Sequence, residues 1–167
     1  MTVHEEDKAE IVIGWIVLLL VMKNAVLLIF LAVLRRRGGI YRAPEDLELF
    51  HGQQNVNEYD DWSFAGRINR CLRNDLEYVP YFLILSMLLF WQWQETKTPP
   101  YIVYNHIFTR SLIYGITMVV SRYLHNLCYI FRITYGRILG FLLTVCVLVA
   151  MSIDNCYGIM KGHNRQE

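Results

Sequence analysis

Residues 11–34 read IVIGWIVLLLVMKNAVLLIFLAVL, and only Lys23 and Asn24 interrupt the apolar run. In a helix, at about 1.5 Å rise per residue, this stretch exceeds the roughly 30 Å hydrocarbon core of a bilayer. Three acids (Glu5, Glu6, Asp7) precede it and no small-residue cleavage site follows, so it reads as a membrane helix rather than a secretory signal. The rest of the chain agrees. Its 167 residues are 54% hydrophobic and 14% aromatic with a formal net charge of only +1, more apolar than a soluble domain of this size. The expected fold class is all-α, an integral membrane four-helix bundle forming a single domain over 1–167.

Working outward, three further spans follow, so that the set is about 11–34, 70–93, 101–129 and 137–160. The second is apolar only from Tyr78 to Trp93 and reaches membrane length if the polar turn before it is also helical. The third carries Arg110 inside it, with Arg122 and His125 near its end. Between the second and third lies QETKTPP (94–100), a polar break closed by two prolines. The segment 35–73 holds seven arginines, and the connection after the third span is flanked by Arg122, Arg132 and Arg137. The remaining ends carry isolated lysines, Lys8, Lys97 and Lys161, and Arg165. The positive-inside rule therefore places both arginine-rich connections in the cytoplasm and both termini across the membrane. Four cysteines (Cys71, Cys128, Cys146, Cys156) show no paired spacing, so no disulfide framework and no metal site is expected.

The chemistry is expected in the polar residues at membrane depth. A central transmembrane arginine costs about 2.5–3.5 kcal/mol on insertion scales, so each needs a partner or an escape to the headgroups. Arg35, Arg36 and Arg37 read as the positive collar of helix one, and Lys23 with Asn24 as a point of interhelical hydrogen bonding. In RCLRNDLEY (70–78), Arg70, Arg73, Asn74 and Glu77 share one helical face, with Arg67 one turn earlier. Arg73 and Glu77 are spaced for an i, i+4 pair. The third helix has a matching stripe of Arg122, His125 and Tyr129, and the fourth opens with Arg137, followed by Phe141 at i+4. These groups fall at the cytoplasmic ends of their helices. Meeting in a bundle, they would form a donor-rich site for a small anion, one able to hold carboxylates and favour a thiolate.

RINRCLRNDLE (67–77), preceded by APED (43–46) and followed by RYLHNLCY (122–129) and Arg137, resembles the membrane-associated proteins of eicosanoid and glutathione metabolism. The likeness is nearest to the microsomal glutathione transferase and prostaglandin E synthase members and extends to Lys23. It implies a homotrimer with glutathione as co-substrate at each subunit interface. Arg73, Asn74, Glu77, His125 and Tyr129 would hold glutathione, with Arg35 and Arg70 contributing from their helix ends and Arg137 favouring its thiolate. The resemblance further implies a membrane enzyme of the endoplasmic reticulum, with the mitochondrial outer membrane as a second location. It would conjugate glutathione to hydrophobic electrophiles, with lipid hydroperoxides as a further substrate class and no nucleic acid partner.

Four departures from the family pattern bear on activity. Pro80 is one residue early, Ile138 replaces a serine of the synthase, and Phe141 replaces its tyrosine. The 129–137 segment also lacks the usual proline and is one residue shorter. They favour a transferase over the alternative, a glutathione-dependent prostaglandin H isomerase. A non-enzymatic lipid-binding scaffold of the same fold would be expected to lose the glutathione-holding set, which this chain keeps. A channel would need a pore-lining ring beyond the charged stripes.

Overall fold

A computed structural model describes residues 6–38, 63–95 and 100–163. Among the described residues four long helices run in chain order: α1 (Glu6–Gly38), α2 (Phe64–Glu95), α3 (Pro100–Ile130) and α4 (Thr134–His163). No strand occurs among the described residues, as the all-α expectation requires. The APED segment at 43–46 and the centre of the break at 96–99 lie outside the described residues.

Each boundary has a local cause. Helix α1 ends on Arg35, Arg36 and Arg37, cations that oppose the negative end of its dipole. Helix α2 begins at Phe64, six residues before the predicted span, because Ser63 caps it. The Ser63 hydroxyl accepts from the Gly66 amide at 3.0 Å, and the Ser63 carbonyl accepts from the Arg67 amide at 3.1 Å. The polar turn is therefore helical, which gives α2 its 32 residues. Pro80 sits inside α2 and, lacking an N–H, donates nothing to the preceding turn. Helix α3 starts on Pro100, where a missing N–H costs nothing.

The turn from α3 to α4 closes without a proline. Arg132 adopts φ 64°, the Arg132 amide donates to the Tyr129 carbonyl, and the Ile133 amide donates to the Cys128 carbonyl at 2.8 Å. This is a Schellman closure with arginine at the position usually given to glycine.

Buried positions on α1 recur at helical spacing: Ile16, Leu20, Lys23 and Leu31, with Leu27 and Leu34 partly buried. The stripe packs on α2 and α3. Ile16 and Leu20 join Phe82, Met118, Val147 and Met151 in one core, and Leu31 joins Ile68 and Leu72 in a second. The opposite side of α1 exposes large apolar residues, including Trp15, Leu18, Met22, Val26 and Ile29, a surface suited to lipid rather than water. Among the described residues two helices, over Ile11–Gly38 and Thr134–Met160, are long and apolar enough to cross a membrane. Helices α2 and α3 are of similar length but carry charged residues in their interiors.

At the end of the bundle away from the arginine-rich turn, paired polar groups hold the helices together. Gln92 donates to the Asn155 carbonyl at 3.0 Å and Asn155 donates to the Leu85 carbonyl at 3.1 Å. Asp154 accepts from Tyr114 at 2.5 Å and from Arg110 at 3.4 Å. Arg110, the arginine expected inside the third span, is thus paired with an acid on α4.

Candidate functional site

The site rests on a buried polar layer. Lys23 on α1 donates to Asp75 Oδ2 on α2 at 2.6 Å, and Asn126 on α3 donates to the same oxygen at 2.7 Å. Arg122, with no exposed surface, lies 3.6 Å from Asp75 Oδ1 and donates from Nε to Thr144 on α4 at 3.0 Å. All four helices therefore meet on one carboxylate and its neighbours. Removing one partner of such a layer typically costs about 3–5 kcal/mol, because the other charge is left buried and alone. The expectation of interhelical bonding at Lys23 is met, and its partner is Asp75.

Between α3 and α4 the backbones come very close. A Cβ on Gly140 would lie 2.8 Å from the His125 amide nitrogen and 2.8 Å from the Ser121 carbonyl oxygen. This approach lets His125 Nδ1 reach the Arg137 carbonyl at 3.0 Å. A carbonyl only accepts, so Nδ1 carries the proton and Nε2 is left as an acceptor in the neutral ring.

Above this layer two cavities share a wall. One, of about 250 Å³, is lined by Arg70, Arg73, Asn74, Glu77, His125 and Tyr129. The other, of about 440 Å³, is lined by Arg67, Arg70, Cys128, Tyr129 and Arg137 together with the 132–134 turn. The shared wall is Arg70 donating to the Tyr129 hydroxyl at 3.2 Å. Tyr129 also stacks near His125 (centroids 6.1 Å apart) and lies beneath the Arg137 guanidinium at 5.3 Å. A volume of about 440 Å³ is within the range of small-molecule sites, roughly 300–1,000 Å³.

Six of the eight expected site residues thus line one cavity, and Arg137 lines the adjoining one. Arg35 sits in the last turn of α1 and lines neither. Two sequence expectations are corrected. Arg122 does not face the cavity with His125 and Tyr129; it turns inward, because Asp75 and Thr144 offer it partners that lipid cannot. Arg73 and Glu77 are both exposed and form no ion pair with each other among the described residues.

The residue that sequence reasoning missed is Asp75. It lies off the polar stripe and looks incidental beside Asn74. The available signal was Lys23 itself, a cation on the buried stripe of α1 that needs an acid at its own depth.

The chain matches the MAPEG family over residues 13–156. No curated protein sequence matches it. A match over most of the chain, joined to four helices meeting on a buried carboxylate beneath an arginine-lined cavity, establishes that this chain is a membrane-integral member of the MAPEG family.

Proposed function

We propose that the protein is a membrane-bound glutathione transferase, with all four helices crossing the bilayer. The observation that carries this reading is the 250 Å³ cavity in which Arg70, Arg73, Asn74, Glu77, His125 and Tyr129 converge. Such a cavity offers guanidinium and amide donors for carboxylates, and Glu77 with His125 Nε2 as acceptors for an ammonium or amide N–H. Glutathione presents both kinds of group on one small molecule. Its thiol would extend past the Arg70–Tyr129 wall toward Arg137, whose cation favours the thiolate. The chemistry then requires little more: the sulfur forms a bond to an electrophilic carbon delivered from lipid, and the leaving group departs or the adduct takes up a proton. Fixed positive charge beside the sulfur stabilises that anion without reorganisation.

The exposed Arg73 and Glu77 and the position of Arg35 outside both cavities support assembly as a homotrimer with glutathione between subunits. Arg35 would then contribute from the α1 of an adjoining copy. The endoplasmic reticulum membrane, with the arginine-rich connections in the cytosol, is the proposed location. The test is turnover of a chromogenic electrophile by purified protein with glutathione. A rate at the uncatalysed background, or Arg137→Ala equal to wild type, would defeat the proposal.

A further inference from the structure

Arg122 is buried, yet it touches the cavity through another residue. Its Nη1 donates to Asn74 Oδ1 at 2.8 Å, while Nε is held by Thr144 at 3.0 Å and the guanidinium stacks over the Tyr78 ring at 5.0 Å. These three contacts, with Asp75 at 3.6 Å, hold the guanidinium at Nε, at Nη1 and on its face. A guanidinium has donors only. The Asn74 oxygen must therefore face Arg122, and the orientation of the amide follows from chemistry alone. What Asn74 turns toward the cavity is its NH₂ group, which makes no hydrogen bond among the described residues.

We infer that Arg122 is a positioning residue that locks Asn74 as a hydrogen-bond donor. This corner of the site then takes a carboxylate or carbonyl oxygen of glutathione and rejects its ammonium. The inference rests on glutathione being the ligand, and it assigns polarity across the cavity. Asn74 and Arg73 form the donor side, and Glu77 and His125 Nε2 form the acceptor side. A ligand bound the other way round would set its ammonium against the Asn74 NH₂ and its carboxylate against Glu77. The buried layer thereby does more than hold helices together. Asp75, shared with Lys23, anchors Arg122, and Arg122 sets which end of the ligand lies where.

The deciding variant is Asn74→Asp, which changes NH₂ to an oxygen and leaves an acceptor for Arg122. The fold should be retained, with Tm at or above that of wild type, since the Arg122 contact gains charge. Glutathione affinity, measured by calorimetry on the full-length protein in lipid nanodiscs, should fall about 10- to 100-fold. Affinity equal to or tighter than wild type would show that Asn74 meets a donor, and would overturn the inference. Wild-type protein that fails to bind glutathione would instead overturn the ligand assignment, and the inference with it.

Arg122→Lys separates positioning from scaffolding. It keeps a cation beside Asp75 but lacks the fork that reaches Asn74 and Thr144 together. Its KM for glutathione should rise about tenfold, with kcat lowered much less. A KM at the wild-type value would refute the positioning role. If this variant does not fold, Asn74→Asp still decides the matter, because Arg122 is then intact.

Discussion

Gly140→Ala is the substitution through which the α3–α4 seam can be tested most directly. The added Cβ would fall 2.8 Å from both the His125 amide nitrogen and the Ser121 carbonyl oxygen, and 2.9 Å from the His125 Cβ. Two of the three atoms are backbone, so no side chain can swing aside to make room. Restoring ordinary contact near 3.4 Å requires the helices to part by about 0.6 Å at this level. The hydrogen bonds across the same seam are 3.0 Å between His125 Nδ1 and the Arg137 carbonyl and 3.0 Å between Arg122 Nε and Thr144. Opened by about 0.6 Å, both pass beyond good hydrogen-bond length. Overpacking of this kind costs about 1–3 kcal/mol, which for a chain of this size lowers Tm on the order of 3–10 °C. His125 loses its anchor at the same time, so glutathione affinity should fall with stability. The assay is thermal unfolding in detergent, paired with calorimetric titration. Gly14→Ala serves as the control. Nothing lies within 4 Å of its added Cβ, and alanine is favoured over glycine in a helix by about 1 kcal/mol. A Gly140→Ala protein as stable as wild type would refute the close-approach argument.

Three further outcomes are expected. Asp75→Asn should destabilise the protein far more than Lys23→Met. The first strands two buried cations, whereas the second leaves Asp75 with Arg122 and Asn126; equal losses in a melting experiment would contradict the shared-carboxylate layer. Arg132→Gly should raise stability by about 0.5–1 kcal/mol, because it relieves a non-glycine residue at φ 64°; a fall in Tm would mean that the arginine side chain outweighs its backbone cost. Glu77→Gln should leave Tm within about 2 °C of wild type, because Glu77 is exposed and makes no ion pair among the described residues, while weakening glutathione binding about tenfold by calorimetry. Unchanged affinity would remove Glu77 from the ligand-holding set.

Much of the architecture was legible because membranes constrain sequence so strongly. The run from Ile11 to Leu34 announces a helix by length and apolarity alone, but a run apolar on nearly every side leaves its buried face, Ile16, Leu20, Lys23 and Leu31, to the structure. The stripe of Arg70, Arg73, Asn74 and Glu77 could be read from its period, and the structure does bring these residues to one cavity. Helical spacing places residues on a face of their own helix, however, and says nothing of how far that helix is rotated toward its neighbours. For that reason the spacing groups Arg122 with His125 and Tyr129 although it points into the bundle, and it gives Asp75 no special place.

The sequence by itself determined that the chain is helical, where its long apolar runs lie and which polar residues share a helical face, because these depend on the chain's own apolar runs and on residues a few positions apart. Only the tertiary structure decided which charges are scaffold and which are site. That distinction depends on partners 22 to 52 residues away: Asp75 for Lys23, and Thr144 and Asn74 for Arg122. A buried guanidinium goes where unlike charge and acceptors await it, and those lie on other helices. The orientation of a single amide at Asn74, and with it the polarity of the site, follows from that choice.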